Sequence, residues 1–203
     1  MHQPDEVNVS GGESDGKFTP HPAGTFPAVC VDVINLGKRV STYEGKVKVA
    51  PKLALVFRTG EPREDGTPFD VAAEFTASMF DRATLRHFLE GWRGKAYTEE
   101  QVTAGVPVHK LAGQPALISV IHATSKQGRT YARISGAMAL PKGMTPPAVS
   151  GYERPDYWAE RKKAYADELA RHEAANAPAA PAKATGFGAV PQALEDSDDD
   201  LPF

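Results

Sequence analysis

The chain has 203 residues and a single cysteine, which allows one ordinary domain with extras and excludes an intramolecular disulfide. Its apolar content of 41% suits a globular core, and with no signal peptide or membrane-length apolar run in the sequence, a soluble, non-membrane protein of the cytoplasm is expected. The net charge of −3 hides a partition: residues 17–150 hold 17 Lys and Arg against 11 Asp and Glu, while residues 1–16 and 195–203 hold carboxylates and no Lys or Arg.

Residues 1–17 are rich in Gly, Ser and Asp and are expected to be disordered. The folded part is expected over 18–150, followed by a helical segment at 151–175. A first strand is predicted at about 26–36. Val29, Val31 and Val33 mark one face and Cys30 and Ile34 the other. Both faces are apolar, which predicts a central strand and makes Cys30 a small buried filler.

A second strand is predicted at about 46–58. Val47, Val49, Leu53, Leu55 and Phe57 share one parity, and Lys46, Lys48, Lys52 and Arg58 share the other. Alternate side chains of a strand point to opposite faces, so this pattern predicts a core side and a cationic side. Pro51 lacks a ladder donor and predicts a bulge or bend. After a turn at Glu64–Pro68, the third strand is predicted at about 69–79. There Phe69, Val71, Ala73, Phe75, Ala77 and Met79 face the core, opposite Asp70 and Glu74.

A helix follows, with Asp81 as the expected N-cap and Phe80 stapled onto Leu85. Leu85, Phe88, Leu89 and Trp92 recur at i, i+3, i+4 and i+7, which is one apolar stripe. Residues 95–112 read as an irregular connection with one helical turn near Thr98–Val102. Strands four and five are predicted at about 114–122 and 129–139, joined by a Ser125-Lys126-Gln127-Gly128 turn. In the fifth, Arg129, Tyr131 and Arg133 share a face opposite Ala132, Ile134 and Met138. Pro155–Ala175 reads as a helix with a narrow stripe of Trp158, Tyr165 and Leu169, free to pack on the body or on a neighbouring subunit.

Three strands, a helix and a two-strand hairpin form the element order of the OB-fold, so the predicted class is mainly β: a five-stranded barrel plugged by a helix between strands three and four. Such barrels bind oligonucleotides across strands two and three, between loops one-two and four-five. On that reading Lys38, Arg39, Tyr43, Lys46, Lys48, Lys52 and Arg58 line one part of a groove. Lys126, Arg129, Tyr131 and Arg133 line the other. Unpaired strands need cations for phosphates and flat rings for bases, and an Arg-x-Tyr-x-Arg strand puts both on one side. A solvated sheet face is the plainer alternative. The six histidines are scattered, and no metal, cofactor or nucleophile motif appears, so a non-enzymatic binder is expected. Asp70 and Glu74 near Asp32 give the faint pattern of a Mg²⁺-dependent nuclease.

Residues 176–194 are rich in Ala, Pro and Gly and read as a flexible linker. Residues 195–203 place Asp198, Asp199 and Asp200 directly before Leu201, Pro202 and Phe203. An acidic run ending in an apolar plug can be captured as a unit by a pocket with a basic rim. These six residues resemble the carboxyl-terminal tip of bacterial and phage single-stranded DNA-binding proteins, with Leu201 where Ile is commoner. The resemblance implies a protein that coats single-stranded DNA in a bacterial host. Its tip would recruit replication, recombination and repair proteins. More loosely, the body from Pro20 to Met144 looks like phage replication-module proteins with an OB-type domain. An adaptor that engages a host replication factor through the tip, without binding DNA, is the alternative. Oligomeric state is not legible, and a homo-oligomer stays open.

Overall fold

The computed structural model describes residues 19–176 other than 44 and 126, so both chain ends, including Asp198 to Phe203, lie outside the described residues. The architecture is mainly β. Strands β1 (Gly24–Tyr43), β2 (Lys46–Pro62), β3 (Pro68–Thr76), β4 (Pro115–Thr124) and β5 (Thr130–Met138) form one antiparallel sheet in the order β3-β2-β1-β4-β5. The helices are α1 (Thr84–Arg93), α2 (Glu99–Ala104) and α3 (Tyr157–Ala175), with a 3₁₀ turn at Val108–Leu111. The edge strands β3 and β5 face each other across a cleft, with no ladder between them among the described residues.

The predicted parity of β2 explains the core. Leu53, Leu55 and Phe57 point inward with Cys30, Val71, Phe75, Ile118 and Val120. The α1 stripe of Leu85, Phe88, Leu89 and Trp92 closes one side of this cluster. Each such side chain contributes about 1.5–3 kcal/mol when fully buried. The Trp92 indole N–H donates to the Pro115 carbonyl at 2.9 Å, so its burial strands no donor. Gly94 ends α1 in the left-handed region at φ 68°, where its N–H reaches back to Glu90 and Gly91. Gly91 permits the close approach of α1 to β5, since a Cβ there would lie 3.1 Å from the Ala137 carbonyl oxygen.

Several expectations are corrected. Asp81 does not cap α1. The N-cap is Ala83, without a side-chain bond, and Asp81 pairs with Arg86 instead. Phe80 is not a staple, being 83% exposed. Pro51 causes no bulge in β2. Its carbonyl accepts from Ala77 on the β3 side, so the donor it lacks would also point there, just past the end of the ladder at Thr76. The bulges lie in β1, at Val31 and Leu36.

Val47 and Val49 are not core residues, at 51% and 40% exposed. Their stretch of β2 pairs only with β1, forming a two-stranded ribbon that runs past the end of β3. Met138 is also exposed. A register shift opposite Ser119 and Val120 leaves Ser135 unpaired and reverses the parity, turning Ala137 toward the core and Met138 outward.

Helix α3 packs on the outer face of the sheet. Trp158 and Tyr165 bury themselves against Ile34, Leu36, Ala54 and Val56, flanked by Val31, Ala72 and Tyr152. Leu169 is only half-buried. Among the described residues, no helix is long and apolar enough to cross a membrane.

Candidate functional site

The predicted binding residues divide among three places. The first is the ribbon. Lys38, Arg39, Lys46 and Lys48 are exposed there, and ladder pairing places Ser41 opposite Lys48 and Tyr43 opposite Lys46. The Tyr43 side chain lies outside the described residues, as does Lys126. Lys52 sits at the ribbon's base, half-buried, and donates to the Thr76 hydroxyl at 2.8 Å. Burial, and then the nearby Arg39 guanidinium, hold its ammonium pKa below the usual lysine range against an opposing pull from Glu74.

The second place is the sheet face beneath α3. Arg58, expected to be a free cation, is buried there at 6% exposure. Its guanidinium donates to both oxygens of Asp70 at 2.8 Å and to the Ser150 carbonyl at 3.0 Å, and it lies over the Tyr152 ring. Each of its three nitrogens therefore donates at least one hydrogen bond. The carboxylates of this face are engaged in the same way. Asp32 accepts from Arg154 at 2.7 Å and from the Tyr152 hydroxyl at 3.0 Å, and Glu74 pairs with Arg161 at 2.7 Å. Three acids that the sequence grouped as a faint nuclease pattern are thus each bound to an arginine. Among the described residues, no group of three or more His, Cys, Asp or Glu is arranged to hold a metal. Cys30 is fully buried, and burial pushes its thiol up to about 12, away from reactive thiolate.

The third place is the edge of β5, where Arg129, Tyr131 and Arg133 are exposed as the alternation predicts. Tyr131 and Arg133 line a cleft of about 610 Å³ between β3 and β5. Its other walls include Arg63, Phe69, Tyr157, Trp158 and Arg161. Arg63 lies over the Phe69 ring at 4.7 Å, and Tyr157 packs against Trp158 with 4.8 Å between ring centroids. His21 lies behind Phe69, buried, with its rings in contact with Phe26 and Phe69. Its Nδ1–H donates to the Pro22 carbonyl at 2.7 Å, which leaves Nε2 to accept from the Thr59 hydroxyl at 2.8 Å. Burial holds this imidazole below the usual histidine range, so it is neutral.

The sequence reading missed Arg63, Tyr157 and Arg161. A signal for the last two was present: Tyr157, Arg161 and Tyr165 recur at i, i+4 and i+8, a row along the helix that meets the apolar stripe at Tyr165. That row links the ribbon to the cleft. Arg39 lies over the Tyr165 ring at 5.2 Å, Tyr165 donates to Glu74 at 3.1 Å, and Glu74 holds Arg161 at the cleft.

No protein-family model matches the chain, and no curated protein is significantly similar to it.

Proposed function

We propose that this protein binds single-stranded DNA without chemistry of its own, through an OB-type fold, and recruits replication and recombination partners through residues 198–203. The observation that carries the reading is the pairing of two exposed cationic surfaces joined along α3: the ribbon with Lys38, Arg39, Lys46 and Lys48, and the β5 edge with Arg129, Tyr131 and Arg133. Cations hold phosphates and rings hold bases, and neither requires sequence readout. The strand order β3-β2-β1-β4-β5, with α1 between β3 and β4 and the edge strands facing each other, supports the OB reading. The arginine-paired state of Asp32, Asp70 and Glu74 supports a binder over a hydrolase. The recruiting role rests on the acidic-apolar sequence of the tail, and a bacterial or phage setting on its resemblance.

Helix α3 covers the outer face of β1 and β2 and reaches β3 through the Arg161–Glu74 pair, so on this reading the DNA strand departs from a course over β2 and β3. The test is titration of the full chain with oligo(dT) at several salt concentrations, with and without residues 195–203. Binding that weakens with salt, and that survives or tightens on loss of 195–203 while partner capture disappears, is the expected result. No binding at low salt would turn the reading toward an adaptor that acts through the tail alone.

A further inference from the structure

We infer that the cleft between β3 and β5 is a nucleobase pocket, in which Tyr131 and Tyr157 are the stacking rings and Arg63 and Arg133 hold the adjoining phosphates. This rests on the single-strand-binding reading and states where on the molecule an unpaired base is gripped.

Three observations carry it. First, the cleft combines the two chemistries a nucleotide needs and keeps both available. Tyr131 and Tyr157 are 41% and 50% exposed. Neither Arg63 nor Arg133 has a carboxylate within ion-pair distance among the described residues, whereas the acids in the same walls, Asp70 and Glu74, are bound to Arg58 and Arg161. The acids therefore do little to repel a phosphate, and two guanidiniums remain free to meet one.

Second, the size fits. About 610 Å³ lies within the range of small-ligand pockets, and it is walled by β3, the β5 edge and the first turns of α3. An apolar peptide would not use the arginines, and a simple anion would not use the rings. A duplex keeps the faces of its bases covered by their neighbours, so only an unstacked base presents a ring to Tyr131 or Tyr157.

Third, a residue of the cleft wall carries an unpartnered buried donor. Trp158 is 3% exposed and lines the cleft, and its indole N–H has no acceptor among the described residues. Buried donors are normally paired, so this ring has no hydrogen bond holding it in place and is free to respond to a base seated beside it.

The same packing explains why the pocket lies here. With Trp158 and Tyr165 seated on the outer face of β1 and β2, a strand coming from the ribbon passes the exposed Arg161 and Tyr157 of α3 to reach the open edge.

The test uses the full chain and labelled oligo(dT), read by polarisation and in parallel by tryptophan fluorescence. Tyr131→Ala and Tyr157→Ala each weaken binding by about tenfold, the loss of one stacked base, with the salt slope unchanged. Tyr157→Phe keeps the ring and keeps the affinity. Arg133→Ala lowers the salt slope by about 0.7, one phosphate contact. Trp158 responds to oligonucleotide in the native chain, and the response is lost in Trp158→Phe. Both tyrosines are exposed, so unchanged melting temperatures in the alanine variants separate lost binding from lost folding. If both alanine variants bind as the native chain does, the pocket is overturned while single-strand binding stands on the ribbon. If the native chain itself fails to bind at low salt, the underlying reading falls, and the pocket with it.

Discussion

Arg58 of β2 grips Asp70 of β3 directly across the ladder, Nε to Oδ1 and Nη2 to Oδ2, each at 2.8 Å. This fork joins two strands, and a third hydrogen bond to the Ser150 carbonyl ties in the segment leading to α3. Arg58→Ala should therefore act on stability and not on DNA affinity. It strips the partner from a carboxylate that is three-quarters covered and removes the tie to the Ser150 carbonyl. The expected loss is about 3 kcal/mol, the lower end for a broken buried pair because Asp70 keeps some water. Urea unfolding measures it. The folded fraction should bind oligo(dT) as tightly as the native chain. A stable variant with weakened binding would return Arg58 to the binding surface.

The ribbon predicts the opposite pattern. Lys46→Ala with Lys48→Ala should leave the unfolding free energy within about 0.5 kcal/mol, since both side chains are exposed. The same pair should reduce the salt slope of binding by about 0.7 for each phosphate contact removed. Val47→Thr and Val49→Thr should be equally mild for stability. Leu55→Ala, on the same strand and parity but fully buried, should cost about 2–5 kcal/mol. A large loss from the valine changes would mean that another surface covers the ribbon.

His21 predicts a pH dependence. Its folded pKa lies below its unfolded value because burial disfavours the charged ring, against a raising effect from the Pro22 carbonyl and from Glu61, while His122 and Arg63 lower it further. The unfolded chain therefore binds more protons between the two values. The stability that His21 supplies is whole above the ordinary histidine pKa of about 6.5 and is lost as pH falls through the folded value. Thermal unfolding between neutral and mildly acidic pH measures this. His21→Gln, which keeps a donor and an acceptor, should flatten the dependence. An unchanged pH profile in that variant would place the acid sensitivity elsewhere.

Much of this molecule was legible from spacing. The inward set Leu53, Leu55 and Phe57, the α1 stripe and the outward Arg129-Tyr131-Arg133 alternation all follow from the periods of strand and helix. The misreadings have separate causes. Met138 fell on the wrong side because one unpaired residue, Ser135, shifts the pleat, and nothing in its immediate neighbours announces it. Val47 and Val49 carry the parity of core residues, but β3 stops short of them and no second layer covers them. Asp81 looked like a cap because it precedes the apolar stripe, yet Arg86 in the first turn of the helix claims its carboxylate.

Alternation and composition, by themselves, determined the sides from which Leu53 to Arg58 of β2 and Tyr131 to Ile134 of β5 leave the sheet, the central place of β1, and the contrast between a cationic body and an acidic tail. They could not determine what lies over each side. Arg58 and Arg133 look alike as sequence: each is an arginine on the polar parity of a predicted strand. One is sealed beneath Tyr152 and bound to Ser150, which lies 92 residues further along the chain, and the other opens onto a cleft. Local periodicity is set by backbone geometry within a few residues. Burial is set by whatever distant segment finds the matching apolar surface, and here Trp158 and Tyr165 of α3 made that choice.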